Sequence, residues 1–249
     1  IYPFCMLSSD DGCLVVGAPR SGTTLCASMI GAHPEIGMRL EDSRHSTQPI
    51  LGVKGGGNKL CIPNQITFRT PADEGTIWKT FEDGARAILG RPRWSRNYPC
   101  PANQRTIQSY VAEGARLVAM IRDPDHVVDS IRRRGDVTVE KGKERWSKAI
   151  RAIWQTSREY EELTHLIRFR DLVKHPETVM QDVCAHLELR YSPKMPEGYA
   201  HTPQYNHDRL DPSVASRDTK SYDLEKFDAE AFEKYAELER YAALKETPT

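Results

Sequence analysis

The sequence has no excess of charge of either sign: among its 249 residues, 35 lysines and arginines balance 35 aspartates and glutamates. That balance argues against a general nucleic-acid binder, which needs a net basic surface. No run of eighteen apolar residues occurs, so no membrane-spanning helix is expected. The opening residues, Ile1-Tyr2-Pro3-Phe4, lack the basic segment and long apolar core of a signal peptide. There is no C-x-x-C pair among the six cysteines, Cys5, Cys13, Cys26, Cys61, Cys100 and Cys184, and no metal site is expected from them. Cys13 and Cys26 lie in apolar surroundings and read as buried thiols, which points to a reducing, cytoplasmic compartment. There is no internal repeat and no low-complexity tract. A chain of this length suits one domain, 1–249, with a core at about 12–190 and a C-terminal lid and helix at about 196–245.

What is present starts with Leu14-Val15-Val16-Gly17-Ala18-Pro19-Arg20-Ser21-Gly22-Thr23-Thr24-Leu25. Leu14 to Val16 reads as a short buried strand, and a helical pattern begins at Thr23. A strand, a tight glycine loop and a helix start make an anion site, because free N–H groups and the positive end of the helix dipole converge there. The interval from Gly17 to Gly22 is that of a P-loop, but Thr23 stands where the P-loop has lysine. The loop is therefore suited to a phosphate-like group without the lysine that reaches the terminal phosphates of ATP. Arg20 is the substitute cation.

A second unit follows the same plan. Ala115 to Ile121 reads as a buried strand running into Arg122-Asp123-Pro124. Asp123 suits an N-cap and Pro124 the first helical position. Arg122 then leaves the carboxyl end of its strand, where ligands bind in open α/β sheets. His165 to Phe169 reads as a third strand, followed by a helix through Val179, Val183 and Leu187. Helices are also expected over 103–114, 143–163 and 224–245, with Trp146 and Trp154 in the core. Residues 76–80 read as a strand. Residues 41–75 read as irregular, with Gly52, Gly55, Gly56 and Gly57 marking turns, and the polar stretch 196–222 reads as disordered or a lid. The alternation of strands and helices predicts an α/β fold with a central, mainly parallel sheet between helical layers.

Gly17-Ala18-Pro19-Arg20-Ser21-Gly22-Thr23-Thr24 resembles the 5′-phosphosulfate loop of sulfotransferases that use 3′-phosphoadenosine 5′-phosphosulfate (PAPS), in the form found in tyrosylprotein and many bacterial members. The resemblance extends to the 3′-phosphate motif, an R-D-P with a serine eight residues after the arginine. Arg122 and Ser130 have that spacing, and Arg134 occupies the place of a further arginine in tyrosylprotein enzymes. An arginine fork with a hydroxyl suits a phosphate monoester. Phe169 stands where the family often has tyrosine. The resemblance implies a P-loop-like three-layer α/β/α fold and transfer of a sulfuryl group from PAPS to a hydroxyl of a small molecule, sugar or tyrosine. The product nucleotide would be adenosine 3′,5′-bisphosphate, and no metal is required. It implies cofactor contacts at Gly17, Pro19, Arg20, Ser21, Gly22, Thr23, Thr24, Arg122, Ser130 and Arg134. A Golgi-lumen location would follow if an N-terminal anchor had been removed.

An acceptor hydroxyl needs a general base. His33-Pro34-Glu35-Ile36 followed by Glu41-Asp42-Ser43-Arg44 resembles a stretch of tyrosylprotein sulfotransferases in which a glutamate is the base. Counting back from Arg44 selects Asp42; counting forward from His33 leaves Glu41 equally open, and its longer reach favours it. His45 is a further alternative. Lys54, in Leu51-Gly52-Val53-Lys54-Gly55, resembles a lysine that bacterial members place beside the transferred group, with Lys79 as competitor. Arg217 and Lys220 lie in the region matching a loop that closes over the nucleotide. A P-loop kinase of small molecules and a non-catalytic nucleotide-binding module are the alternatives. The missing loop lysine weighs against the kinase, and magnesium dependence separates it from a sulfotransferase. The acceptor and the oligomeric state are not legible.

Overall fold

The computed structural model describes residues 12–42, 47, 54–68, 105–135, 137–201, 210, 213 and 219–245. Its centre is β1 (Gly12–Gly17), flanked on one side by β3 (Gly55–Cys61) and on the other by β4 (Ala115–Ile121). Outside these lie β2 (Ile36–Leu40) and β5 (Thr164–Arg168), giving a five-stranded order of β2-β3-β1-β4-β5 with every pairing parallel. β1 and β4 are apolar runs because a central parallel strand is covered on both faces.

Alternate side chains divide the core. Cys13 and Val15 of β1 join Val118 and Met120 of β4 under α1 (Thr23–Gly31), with the later helical turns of 169–187 and Met195. Leu14 and Val16 join Leu117, Ala119 and Ile121 on the opposite face. That face is covered by α2 (Ile107–Ala112), α3 (Pro124–Arg133) and α4 (Val139–Glu159). The structure is the three-layer α/β/α arrangement expected from the sequence.

The helix starts follow local chemistry. Thr106 caps α2 through the amide of Ser109, and the Ser109 hydroxyl accepts from the amide of Thr106 in return. Asp123 accepts from the amide of His126 at the head of α3, with Pro124 at the first helical position. Thr138 caps α4. Trp146 of α4 is fully buried, whereas Trp154 is partly buried and donates to Glu237 at 2.7 Å. After β5 come α5 (Phe169–Lys174) and α6 (Pro176–His186), then a 3-10 turn over Met195–His201.

Two expectations are corrected. Residues 55–57 do not form a turn; they open the buried strand β3, and β2 precedes it. Three glycines carry no apolar signal, so the strand is invisible to a hydrophobicity pattern. Gly57 pairs with Met38 across the ladder, and a Cβ there would lie 2.0 Å from the Met38 Sδ. Packing thus requires a missing side chain where a sequence reading sees a turn. Second, the single helix expected at 224–245 is two: α7 (Leu224–Phe227) and α8 (Ala229–Lys245). Asp228 interrupts them, because its carboxylate accepts from the amide of Ala231 and is gripped by both oxygens from Arg151. At the end of the stretch expected to be disordered or a lid, Tyr222 is buried. The strand expected at 76–80 lies outside the described residues.

Candidate active site

β1 leads by way of α1 toward the β2–β3 side of the sheet, and β4 leads by way of α3 and α4 toward β5. The two central strands therefore part company at their carboxyl ends, which is where open α/β sheets form a ligand crevice. Both sequence motifs open into it.

The loop after β1 is tightly built. The Ser21 amide and hydroxyl both donate to the Ala18 carbonyl, at 3.1 and 2.7 Å. Ser21 is buried, so its hydroxyl holds the loop together and is not turned toward a ligand. Gly22 has φ 95°, and a Cβ on it would lie 2.4 Å from the Phe169 ring. No other residue fits that position without displacing the ring. α1 then begins with no side-chain cap and no acidic residue in its first turn. The first amides of α1 are thereby left to the crevice, the arrangement that favours an anion. Thr23 is buried, with its hydroxyl 3.9 Å from the Cys61 sulfur, and Thr24 is half-buried. Pro19 is half-buried and Arg20 is exposed at φ 72°.

Arg20 joins this loop to α3: its Nε donates to the Ser130 hydroxyl at 2.9 Å. Arg122 donates to the Arg20 carbonyl at 3.0 Å, and its guanidinium lies 3.9 Å from the centre of the Phe169 ring. Trp146 holds the Arg122 carbonyl from beneath at 3.3 Å. Phe169 thus fills the space over Gly22 and orients Arg122 at once. A cation over an aromatic face keeps its charge while losing freedom.

In the third part of the site Glu41 was expected and Lys59 was not. Lys59, near the end of β3, is buried, with only 2% of its side chain exposed, and its ammonium lies 2.5 Å from the Glu41 carboxylate. Burial pushes the Glu41 carboxyl up, but Lys59, a hydrogen bond from Gln65 and the charge of Arg134 outweigh it and hold it below the usual carboxylate range. Gln65 is itself placed by the Cys61 amide, which donates to its oxygen at 2.7 Å. Glu41, Lys59, Gln65 and Arg134 therefore converge beside the loop end of the sheet, where Gly17 pairs with Cys61. Asp42 has other neighbours: its backbone carbonyl accepts from the Asn58 side chain, and its charge adds to the burial that raises the Tyr110 phenol.

Lys54 is corrected. It precedes β3 at the end of the sheet away from the loop, where it is 73% exposed and paired with Glu35 at 2.7 Å. The seven residues of β3, at about 3.3 Å each, put more than about 20 Å between Lys54 and the loop. The signal that could have found Lys59 is its place in Asn58-Lys59-Leu60-Cys61, where the glycines give way to an apolar strand end. The basic cluster of α3 also divides. Arg132 and Arg133 bind Asp129 on their own helix, which leaves Arg134 to face Glu41. Lys220 is exposed, and His45, Lys79 and Arg217 lie outside the described residues.

The fold is that of a P-loop-like α/β protein, with both motifs opening into one crevice. Residues 94–193 match the family model described as the sulfotransferase family. A Caenorhabditis briggsae protein provisionally named a protein-tyrosine sulfotransferase is 23% identical over 213 residues, covering 76% of this chain and 70% of its own. Two solved structures share the fold at a TM-score of 0.55. The sulfotransferase domain of the Synechococcus PCC 7002 olefin synthase is 18% identical and covers 94% of each chain. The sulfotransferase domain from the curacin biosynthetic pathway is 17% identical, over 92% of this chain and 97% of the other. The chain is thus similar to sulfotransferases over residues 94–193 and in its fold, which supports a transferase activity. The matched segment contains Arg122, Ser130 and Arg134 but not the Gly17–Thr24 loop, so the loop supports the assignment independently.

Proposed function

We propose that this single-domain enzyme takes the sulfuryl group of PAPS to a hydroxyl acceptor, with a tyrosyl hydroxyl as the first class to test and adenosine 3′,5′-bisphosphate as the product. The observation that carries the reading is the Arg20–Ser130 hydrogen bond. It brings the loop and α3 side by side, so one ligand with phosphate groups at two positions can touch both. The rest of the crevice fits such a ligand. The uncapped start of α1, with Thr23 and Thr24, suits the 5′-phosphosulfate. Arg122, Ser130 and Arg134 suit the 3′-phosphate.

PAPS supplies a sulfur that is open to attack and a phosphate leaving group. The chain supplies position and preorganised charge, the main requirements of such a transfer. Lys59 stands at the loop end of β3, where an ammonium neutralises charge on the sulfuryl oxygens and on the departing phosphate. Glu41 accepts the acceptor's proton as the hydroxyl oxygen bonds to sulfur and the sulfur–phosphate oxygen bond breaks. We choose Glu41 over Asp42 because its carboxylate shares Lys59 and the field of Arg134, whereas the charge of Asp42 acts on Tyr110. The compartment we propose is the cytoplasm, supported by four free, buried cysteines among the described residues. Among those residues no helix is long and apolar enough to cross a membrane.

The test is calorimetric titration with adenosine 3′,5′-bisphosphate, AMP and magnesium-ATP, followed by transfer from labelled PAPS to tyrosyl peptides, sugars and small alcohols. The expected result is micromolar, magnesium-independent binding of the bisphosphate, weaker AMP binding, and loss of both in Arg20→Ala. Preference for magnesium-ATP would overturn the reading in favour of a kinase. Binding without transfer to any acceptor would leave a nucleotide-binding module.

A further inference from the structure

Tyr222 lies far along the chain from both motifs, yet it holds one face of α3. Its backbone amide donates to the Asp125 carboxylate at 2.8 Å. Its hydroxyl donates to the Asp129 carboxylate at 2.9 Å and accepts from the Arg132 Nε at 3.1 Å. Asp125, Asp129 and Arg132 are spaced as one stripe of a helix, so a single residue grips successive turns of α3. Ser130 and Arg134 are four apart and form the neighbouring stripe, the one that meets Arg20 and Glu41.

The grip matters because Asp129 is out of place beside an anion. It is a largely buried carboxylate, directly next to Ser130 in sequence. Left without its partners it would repel a phosphate at Ser130 or turn toward Arg20. Tyr222, Arg132 and Arg133 together occupy it. Although burial pushes its carboxyl up, those partners hold it below the usual range. Tyr222 is anchored in turn: its ring is buried in the core shared by α3 and α4, with Leu224 beside it in the same cluster.

We infer that Tyr222 is a positioning residue for the 3′-phosphate subsite, acting through Asp129 to fix the turn of α3 that presents Ser130 and Arg134. The inference rests on the reading of α3 as part of that subsite. It makes the C-terminal segment a determinant of cofactor selectivity, because recognition of the 3′-phosphate requires the segment to be docked.

The experiment measures the affinity gained from the 3′-phosphate, as the ratio of AMP to adenosine 3′,5′-bisphosphate dissociation constants, in the whole chain. Tyr222→Phe keeps the ring and removes the hydroxyl. The ratio is expected to fall about tenfold, as for a lost hydrogen bond to a charged group, with AMP affinity changed less than about twofold. Tyr241→Phe, which loses a 3.0 Å bond to Glu161 away from the crevice, controls for stability and leaves the ratio unchanged. Asp129→Asn with Tyr222→Phe separates the pair from independent effects: the double variant is expected to be no worse than the poorer single one. An unchanged ratio in folded Tyr222→Phe, or an equal loss for AMP, overturns the inference. A wild-type protein that draws no affinity from the 3′-phosphate overturns instead the reading of the subsite.

Discussion

Two lysines belong to one short stretch of chain, and each is paired with a glutamate. Lys54 lies before β3, 73% exposed, with Glu35; Lys59 lies near its end, 2% exposed, with Glu41. In a list of ion pairs they look alike. Their positions make them different. An exposed ammonium is hydrated and screened, and its pair contributes roughly 0–1 kcal/mol. A buried ammonium has lost its water and needs an anion nearby. At the loop end of a parallel sheet, that need can be met by a ligand. Which end of the strand a lysine occupies, and how deeply, decides between a surface charge and a member of the site.

The largest effect is expected from the lysines themselves. Lys59→Met should lower sulfuryl transfer by about 100-fold or more, as for loss of one preorganised charge at a transition state. Lys54→Met should stay within about twofold of wild type and cost less than about 1 kcal/mol. Steady-state rates and chemical denaturation of both variants test the contrast, and it breaks if Lys54→Met is the more damaging.

Next come the carboxylates. Glu41→Gln should lower kcat by about 100-fold or more, the usual effect of removing a general base, with the KM for PAPS little changed. Asp42→Asn should cost less than about tenfold. The reverse order would transfer the base to Asp42. Arg122→Ala should then weaken adenosine 3′,5′-bisphosphate binding by about 10- to 100-fold while leaving AMP closer to wild type. Titration calorimetry reads this directly, and an equal loss for both nucleotides would assign Arg122 to the loop rather than to the 3′-phosphate.

The smallest effect is the pH dependence. The folded Glu41 carboxyl titrates below its ordinary range, so its contribution to stability is complete above the unfolded value. It is lost as pH falls through the folded one. Glu35 is shifted the same way, chiefly by its hydrogen bond from Lys54, but its partner lysine is exposed whereas Lys59 is buried. Melting curves from about pH 6 down to about pH 3 should flatten more in Glu41→Gln than in Glu35→Gln. Equal flattening would mean that burial of Lys59 adds nothing to its pairing.

The elements legible in the sequence share a physical basis. β1, β4 and β5 carry apolar runs, and α4 carries an apolar stripe with buried Trp146, Ile150 and Ile153. The loop after β1 and the Asp123-Pro124 start of α3 are encoded by glycine, proline and a capping carboxylate acting over a few residues. β2 and β3 escaped because their strand character comes from neighbours: Gly57 is a strand residue only because Met38 occupies the space beside it. The break at Asp228 escaped because local helix pattern does not register a capping carboxylate held by Arg151, far away in sequence.

The same division runs through the site. The chain's order alone determined a strand–glycine loop–helix unit at Gly17–Thr24, a second basic unit at Arg122–Arg134 and a family resemblance carried by both, because these depend on adjacency and short spacing. Only the tertiary structure decided that Lys59 rather than Lys54 stands at the loop end, that Glu41 rather than Asp42 shares its charge, and that Arg132 and Arg133 serve Asp129 and Tyr222. Those choices depend on strand register, burial and contacts between distant segments, where a shift of a few residues moves a side chain from one end of the sheet to the other.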